Sequence, residues 1–459
     1  MATTQPGTGK MVGAQVRRVE DPRVLLGKTR YVNDIQMPGM LEIAFVRSPH
    51  AHARLQRVGV SAALEYPGVN TVLTGEDVAS AIGPLRVEYD RTKAPTQKPC
   101  DWPVLARGKV RFVGEAVAAV VASDRYVAED AASLVEVDYE PLEAVWDVDQ
   151  ALAPTSPLVH EEWGDNVMQK MEAEIGEVAR AFQEADCVIA ERFITGRHMA
   201  LPMETRGCVA SFDPATDTLN VWSSTQVPHV LRSELSHLLR FPEHHIHVIA
   251  PDVGGGFGLK AHVFAEEAVT AFLSWRLRLP VKWIEDRREH LSASLHAKHQ
   301  IINAELALKK DGTIAGMRGR FVSDVGAYSD FPWGSGFEAE HAASSMPGPY
   351  KVPAFRFEAV SVATNKATIG VYRGVGLPIG VFVTERLLDL GARKLGLDPA
   401  EVRLRNMIRK EEHPYTTILG TEIESGSHRE SLQMALDMLG YQQFRVQQQR
   451  LREQGAMLV

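Results

Sequence analysis

The chain has 459 residues, of which 45% are hydrophobic and 24% are charged, and its formal net charge is −8. This balance is typical of a globular protein of about three domains, and it excludes disorder, collagen-like repeats and a coiled-coil rod. No apolar run reaches the roughly 18 residues of a membrane span, no secretory leader is apparent, and the acidic charge disfavours a general nucleic-acid binder. Three isolated cysteines, Cys100, Cys187 and Cys208, suit a reducing compartment, so we expect a cytoplasmic protein.

Short strands and helices alternate in the first 150 residues. Leu41–Arg47 and Ala116–Ala122 are predicted strands, Arg125–Ala132 is a predicted helix, and residues 134–139 alternate as a half-buried strand. The stretch ALAPTSP, residues 151–157, is rich in Pro, Ser and Thr and predicts a first domain boundary.

Longer elements follow this boundary. Residues 219–223 and 245–250 are predicted strands, and four leucines at helical spacing between them define an amphipathic helix. The sequence KKDG, residues 309–312, predicts a turn between two long strands. Residues 331–353 are rich in Gly, Pro and Ser and predict an extended loop system, which is usually functional inside a compact domain.

Helical patterns dominate the last segment. The apolar positions between residues 381 and 395 share one helical face, Gly396 is placed to end that helix, and Asp398 is placed to cap the next. The last three residues, MLV, have no turn or polar cap after them, and we expect them to be an interrupted strand of an incomplete unit.

The most informative local feature is VGGGFGLK, residues 253–260, between a predicted strand and a predicted helix. Glycines let the backbone approach an anionic ligand closely, and a helix that starts after Gly258 would add a positive dipole end. The glycine spacing fits neither a Walker A loop nor a GxGxxG dinucleotide fingerprint. A tight strand-to-helix turn without a ligand explains the pattern equally well.

Two isolated polar residues are further candidates. Gln226 stands at a strand-to-helix junction, where its amide can donate to an oxo group, and Arg373 lies in the loop VYRGVGLP, where its guanidinium can brace an anion. A helix-cap glutamine and a solvated loop arginine are the simpler interpretations. The histidines of EHHIH lack the convergent ligands of a zinc site, and Glu204 with His198 forms at most an isolated acid/base pair.

Seven motifs together resemble the molybdopterin-binding large subunits of the xanthine dehydrogenase and aldehyde oxidase family. Each is weak alone, but they occur in the family's order between residues 13 and 408. They are GAQVRRVEDPRVLLGKTRYVND continued by RSPHAHARL, RHMALPMETRGCVA, SSTQVPHVLR, VGGGFGLK, SDVGAYSD, VYRGVGLP and the stretch from Glu385 through LGLDPAEVRLRNMI.

The resemblance implies an α+β fold in three parts. A hammerhead-like α/β domain is expected over residues 1–150, and a first molybdopterin-binding α+β domain over residues 158–375. Residues 376–459 are expected to be the incomplete beginning of a second molybdopterin-binding domain, so the chain resembles a C-terminally truncated large subunit.

The family's cofactor site can be carried over residue by residue. Gln226 matches the glutamine whose amide donates to an oxo ligand of molybdenum. Phe257 matches the residue whose backbone lies against the metal centre, with Gly255 and Gly256 giving close approach. Arg373 matches the arginine that supports the other side of the cofactor. The resemblance thus implies that no side chain here binds the metal directly.

The substrate pocket departs from that of purine-oxidising relatives. Those relatives carry a glutamate, an arginine and a phenylalanine where this chain has Ala261, His341 and Val375. The resemblance therefore implies an aldehyde or N-heteroaromatic substrate in an apolar pocket, for which Phe331, Trp333 and Phe337 are candidate walls beside the simpler interpretation of ordinary core. VYRGVGLP also lacks the cysteine of carbon-monoxide-oxidising relatives.

The implied function is that of the molybdopterin-binding subunit of a molybdenum hydroxylase, which takes its oxygen from water and uses a glutamate as general base. The cofactor is expected as the molybdenum–molybdopterin cytosine dinucleotide. Because the sequence has no cysteine motif for a cluster and no flavin fingerprint, we expect a 2Fe–2S subunit and an FAD subunit as partners.

The general-base glutamate has no motif match here, so we expect the chain alone to be inactive and a separate C-terminal half to be a further partner. The alternative is a non-catalytic remnant or interaction subunit of such a complex. A nicotinamide-dependent dehydrogenase is disfavoured because the dinucleotide fingerprint is missing.

Overall fold

The structure is a computed structural model and describes residues 14–88, 95–334 and 336–455. The strands in these ranges are β1 (Leu41–Arg47), β2 (Ala53–Gly59), β3 (Val69–Thr74), β4 (Lys109–Val110), β5 (Ala116–Ala122), β6 (Glu136–Pro141), β7 (Val167–Ile175), β8 (Cys187–Thr195), β9 (Gly207–Asp213), β10 (Thr218–Ser223), β11 (Ile246–Ile249), β12 (Val281–Ile284), β13 (Gln300–Leu308), β14 (Ile314–Gly326), β15 (Phe355–Ala363), β16 (Tyr415–Thr416) and β17 (Glu422–Ile423).

Helices alternate with these strands along the chain. The α-helices are α1 (Asp21–Leu25), α2 (Ser61–Leu64), α3 (Gly75–Val78), α4 (Arg125–Ala132), α5 (Val148–Ala151), α6 (Val178–Gln183), α7 (Pro228–Leu239), α8 (Ala265–Leu277), α9 (Arg287–Ala293), α10 (Phe337–Ser344), α11 (Leu377–Leu395), α12 (Pro399–Asn406), α13 (His428–Leu439) and α14 (Tyr441–Glu453). Four short 3-10 helices cover Val32–Asp34, Glu161–Trp163, Glu243–His245 and Lys410–Glu412. No helix of the described ranges is long and apolar enough to cross a bilayer.

Most predicted elements are confirmed, several with their predicted bounds. Two predictions are wrong. The expectation that the start of the helix follows Gly258 closely is wrong, because residues 257–262 form turns and bends and the predicted helix begins at Ala265. The predicted loop system over residues 331–353 contains α10, whose alanine-rich inner face packs into the core. The predicted terminal strand MLV lies outside the described residues.

A seven-stranded sheet in the order β11-β10-β9-β12-β1-β5-β3 joins strands from both sides of the predicted boundary at residues 151–157. The bridge between the two sets is the parallel pairing of β1 with β12, in which Leu41 lies opposite Val281. Just before the boundary, α5 buries Val148 and Ala151 against the second sheet. The predicted domain limits at 150, 158 and 375 stay a prediction.

The strand directions of this sheet bring several loops to one edge. β10 and β11 are parallel, so the segments that follow them, with Gln226 and the glycine motif, leave from the same edge. β9 runs antiparallel to both β10 and β12, so the segment before Gly207 and the residues after Ile284 also meet there. Topology alone therefore gathers four polar segments.

A five-stranded sheet in the order β7-β15-β14-β13-β8 forms the second layer. α10 and α11 cover one of its faces with a continuous apolar cluster that includes Leu306, Phe321 and Leu387, all fully buried. α11 ends where predicted, with Gly396 in the left-handed conformation at φ 68°. The loop with Arg373 immediately precedes α11, so this packing sets its position.

We expect Phe321→Ala to destabilise the second layer by about 3–5 kcal/mol, because it removes a fully buried ring from between the sheet and its helices. The free energy of unfolding from chemical denaturation measures this loss. Ile194→Ala on β8 is the matched control, since Ile194 is 59% exposed and its truncation should change stability by no more than about 0.5 kcal/mol. Equal losses in the two variants would contradict the assigned core.

Candidate functional site

The glycine motif and Gln226 are in direct contact. The side-chain Oε1 of Gln226 accepts a hydrogen bond from the backbone N–H of Gly258 at 3.0 Å, and the Gln226 backbone N–H donates to the Lys260 carbonyl at 2.8 Å. Because the oxygen of the amide is engaged by the loop, its two N–H donors remain for a ligand. A Cβ on Gly256 would lie 2.3 Å from Gln226 Oε1, so only glycine permits this approach.

The loop with Arg373 packs on the glycine motif. The Arg373 backbone N–H donates to the Phe257 carbonyl at 2.9 Å, and the Arg373 carbonyl accepts from Lys298 Nζ at 2.9 Å. The Arg373 backbone is thereby fixed on both sides, while its side chain is exposed. Gln226, Phe257 and Arg373, predicted from three distant stretches, are therefore neighbours.

Backbone strain is concentrated at this place. Phe257, Lys298 and Val375 have φ values of 54°, 69° and 49°, in the left-handed region that side chains other than glycine rarely occupy. The other described residues of this kind are the turn residue Asp217 and the helix ends Arg240 and Arg278, where local structure explains the conformation. Strain with no such explanation clusters at functional sites.

Glu204 holds the glycine motif from behind. Its Oε2 accepts hydrogen bonds from the Gly254 backbone N–H at 2.7 Å, from Ser224 Oγ at 2.6 Å and from Lys260 Nζ at 2.9 Å. Lys260 is 1% exposed, and burial lowers its pKa although the Glu204 carboxylate opposes this shift. Glu204 is thus paired with Lys260, which agrees with the interpretation that this carboxylate is structural rather than half of an acid/base pair with His198.

A buried charge network lies next to Glu204. Arg206 pairs with Glu285 at 2.6 Å and with Glu266 at 3.2 Å, and Glu285 also accepts a hydrogen bond from His290 at 2.8 Å. Burial alone would raise the pKa of Glu285, but Arg206 and His290 outweigh it and hold the pKa at about 2. Arg47 completes the network with contacts to Glu266. These pairs fix the segment before β9 that carries Glu204.

The start of the glycine motif is held by the N-terminal segment. The Asp252 carboxylate accepts a hydrogen bond from the Arg30 backbone N–H at 2.8 Å and pairs with the Arg23 guanidinium. The hydrogen bond from Arg23 makes the largest contribution to lowering the pKa of the Asp252 carboxyl group to about 2. The motif that opens the chain is therefore part of the support for the loop.

The predicted pocket residues lie at an aromatic stack on α10 and the turn before it, and His341 is one member of this stack. Trp333 Nε1 donates to the Ala261 carbonyl at 3.1 Å, Trp333 stacks on Phe337 at 5.6 Å, and Phe337 stacks on His341 at 5.2 Å. Val375 lines a small cavity together with Trp333 and Phe337. Trp333 is 42% exposed and is therefore not core, whereas Phe331 packs against the main apolar cluster.

Sequence reasoning missed three residues that support the site. Glu338 is buried, and its Oε2 accepts a hydrogen bond from the Lys298 backbone N–H at 3.0 Å. Lys298 and Glu338 lie in segments without a recognisable motif, and Lys260 was seen only as part of a motif. A lysine whose backbone is in the left-handed conformation and a buried glutamate cannot be recognised from the spacing of residues in the sequence. The one available indication was Lys260 itself, two residues after Gly258, since a buried lysine needs a carboxylate partner.

The donors at this site fit an oxygen-rich anionic group. Among the described residues, no cluster of three or more His, Cys, Asp or Glu could hold a metal ion. The Gln226 amide, the Arg373 guanidinium and the backbone of the glycine motif instead offer N–H donors, and a Cβ at Gly256 would clash with the Gln226 side chain. Such a donor set binds phosphate or metal-oxo oxygens rather than a bare cation.

Comparisons with known proteins agree with this geometry. Residues 159–407 match the molybdopterin cofactor-binding domain, and residues 26–143 match the a/b hammerhead domain of aldehyde oxidase and xanthine dehydrogenase. The chain thus belongs to the xanthine dehydrogenase and aldehyde oxidase family of molybdopterin-binding proteins. The resemblance in seven motifs and the predicted fold, a hammerhead-like domain followed by a molybdopterin-binding domain, are confirmed.

Several relatives match almost the whole chain. The nicotine 6-hydroxylase large subunit of Paenarthrobacter nicotinovorans is 40% identical over 99% of this chain and 55% of its own length. The carbon monoxide dehydrogenase large chain of Afipia carboxidovorans is 39% identical over 96% of this chain and 55% of its own length. The structure of quinoline 2-oxidoreductase from Pseudomonas putida 86 superposes with a TM-score of 0.91, at 40% identity, over 96% of this chain and 56% of that one. The chain spans about half the length of these relatives.

We expect Gly256→Ala to reduce molybdopterin content at least about tenfold, because the new methyl group displaces the Gln226 amide from the loop. Pterin fluorescence after oxidation and metal analysis measure the content after expression in a host that makes the cofactor. Gly196→Ala is the control, since a Cβ there meets nothing closer than His198 Cε1 at 3.9 Å. A folded Gly256→Ala protein with full cofactor content would refute the importance of this contact.

We expect Glu285→Gln to lower stability at neutral pH by about 3 kcal/mol, because it leaves Arg206 without its closest partner. Because the pKa of Glu285 is lower in the folded protein, its ionised carboxylate stabilises the fold at pH values above its ordinary pKa of 4.5. This contribution is lost as the pH falls towards about 2. The difference between variant and wild type should therefore shrink through this acid window. Thermal unfolding across the pH range measures it, with the exposed Glu76→Gln as a control that shows no such difference.

Proposed function

We propose that this chain is the molybdopterin-binding subunit, or the N-terminal part of it, of a molybdenum hydroxylase that oxidises an aldehyde or an N-heteroaromatic compound with water as the oxygen source. The observation that carries the proposal is the direct contact of three predicted cofactor residues. Gln226 Oε1 is hydrogen-bonded to Gly258, and the Phe257 carbonyl accepts from Arg373. The names of the relatives, which include a nicotine hydroxylase and a quinoline oxidoreductase, support the class of reaction.

In this proposal each residue has a separate task. The free N–H donors of Gln226 hold an oxo group of the cofactor, and Gly255 and Gly256 let the backbone at Phe257 come close to it. The exposed guanidinium of Arg373 neutralises negative charge on the opposite side. The cofactor supplies the two-electron redox chemistry, and the chain supplies position and charge.

The pocket residues Ala261, His341 and Val375 are proposed to face the substrate. They offer small or aromatic surface instead of the charged groups that would bind a purine. The left-handed Val375 backbone aims this short side chain at the cavity shared with Trp333 and Phe337. An apolar pocket of this kind orders a flat molecule through ring contacts.

The electron acceptors are proposed to reside on a 2Fe–2S subunit and an FAD subunit, with the pterin as its cytosine dinucleotide. The names of relatives as a large subunit and as a subunit of a dehydrogenase complex support an assembly of several chains. We also propose that these residues do not turn over substrate by themselves, because the general-base glutamate motif has no match in the 459 residues. The three free, buried cysteines support a cytoplasmic location.

The test is co-expression with the two electron-transfer subunits and the C-terminal half of a relative, followed by metal analysis and a dye-reduction assay. We expect stoichiometric molybdenum and oxidation of an aldehyde or an N-heteroaromatic compound. Gln226→Ala should lower turnover on the order of a hundredfold, as expected for the loss of a preorganised donor. Gln183→Ala, an exposed glutamine at the end of α6, is the control.

A complex that assembles fully but consistently contains no molybdenum would overturn the proposed function. Equal effects of Gln226→Ala and Gln183→Ala would remove the role assigned to Gln226 while leaving the family unchanged.

A further inference from the structure

Two histidines lie close together at the start of the C-terminal helices. His413 stands two residues before β16 of the β16–β17 hairpin, and His428 is the first residue of α13. Their ring centroids are 6.0 Å apart. Both residues lie beyond residues 159–407, which match the molybdopterin cofactor-binding domain, so the proposed cofactor site does not explain them.

The Nε2 atom of each ring is buried without a partner. Neither His413 Nε2 nor His428 Nε2 has a hydrogen-bond partner among the described residues. A buried polar atom that is left unpaired destabilises a native protein, and a bound ion or water molecule usually explains it. Because the two nitrogens belong to neighbouring rings, one bound group can satisfy both.

Gly426 leaves space in front of these two nitrogens. A Cβ on Gly426 would lie 2.7 Å from His428 Nε2 and 3.0 Å from His413 Nε2, and each nitrogen is the nearest atom of its ring. The backbone of Gly426 is not in the left-handed region, so its φ does not account for the glycine. Both nitrogens therefore point into one space, which a side chain at position 426 would fill.

The proton on His413 is placed so that the ring can act as a ligand. His413 Nδ1 lies 3.2 Å from the Ile423 carbonyl oxygen, which only accepts hydrogen bonds. In the neutral ring Nδ1 therefore carries the proton, and Nε2 presents a lone pair. Metal-binding histidines almost always have such an arrangement, in which the second nitrogen donates to a carbonyl or carboxylate and fixes the ring. Zinc, copper and nickel ions bind an imidazole lone pair of this kind.

The charge of the segment favours a cation. Between residues 421 and 431 the exposed glutamates Glu422, Glu424 and Glu430 stand against one basic residue, Arg429. They offset the positive end of the α13 dipole, at which His428 lies. Mg²⁺ and Ca²⁺ prefer oxygen ligands, so a pair of imidazoles selects a transition-metal ion instead.

The two C-terminal helices have little other anchorage. Within the described ranges α13 and α14 contain no fully buried residue. Burial of apolar surface therefore contributes little to holding them in place. A link at His428, in the first turn of α13, fixes these helices at the point where they join the rest of the chain.

We propose that His413 and His428 form a binding site for one Zn²⁺ ion or a similar divalent transition-metal ion, with water at the remaining tetrahedral positions. The ion ties the first turn of α13 to the segment before β16. Its role is structural, and the site does not depend on the proposed function.

The test is equilibrium dialysis of the full chain against Zn²⁺, followed by metal analysis. We expect wild type to bind about one Zn²⁺ ion more than His413→Ala or His428→Ala, and an excess of Mg²⁺ not to displace it. Gly426→Ala should weaken binding at least about tenfold, because its methyl group occupies the space in front of both nitrogens. His244→Ala removes an exposed histidine and is the control that keeps wild-type binding.

Two further measurements report the ligands and the structural role. The EPR spectrum of bound Cu²⁺ should show coupling to two imidazole nitrogens in wild type and to fewer in His413→Ala or His428→Ala. Zn²⁺ should also slow amide hydrogen exchange in α13 of wild type but not of His428→Ala, since local opening of the helix then no longer breaks a metal bond.

Wild type that binds no more Zn²⁺ than His413→Ala would overturn the inference, and a water molecule would then explain the unpaired nitrogens. An equal loss in His244→Ala would also overturn it, because exposed histidines alone would then hold the ion. If His413→Ala and His428→Ala do not fold, unchanged binding by Gly426→Ala rejects the site and weakened binding supports it. Zinc and molybdenum are measured separately, so bound zinc in a complex without molybdenum rejects only the proposed function.

Discussion

The site depends on the parallel pairing of β10 with β11. Four residue pairs, from Leu219 with Ile246 to Trp222 with Ile249, fix the register of the two strands. Because parallel strands end at the same edge, Gln226 and the glycine motif emerge side by side although Gln226 and Val253 are 253 − 226 = 27 positions apart in the sequence. A slip of one residue would turn every side chain of β11 to the other face and would separate the amide from the loop.

The surroundings of the glycine motif show how its conformation is fixed. A glycine-rich segment has no side chains of its own to fix it, so its conformation must be imposed from outside. Glu204 does this from behind, Asp252 at the start, and Arg373 from the opposite side. Buried ion pairs add little stability on average, but displacing one partner strongly destabilises the fold, because it leaves an unpaired charge in the interior. Rigidity at the loop is the physical gain.

The three strained residues have a common meaning. Phe257, Lys298 and Val375 each stand on a different segment, and each is linked to the others through Arg373 or its loop. A left-handed backbone costs on the order of 1–3 kcal/mol per residue, so the surrounding packing must enforce all three conformations. A preorganised pocket of this kind holds donors in place before a ligand arrives, and no reorganisation is needed on binding.

Local sequence determined much of this protein. Period-two and helical patterns located β1, β5, α4 and the turn between β13 and β14, because those elements bury one face and are bounded by turn residues. Seven ordered motifs identified the family and pointed to Gln226, Phe257 and Arg373. Only the tertiary structure decided the rest. The joining of β1 to β12, the pairing of Glu204 with Lys260, the left-handed Lys298 and the buried Glu338 all arise from contacts between segments far apart in sequence. Residue spacing cannot encode such contacts, because burial and charge partners are properties of the assembled core.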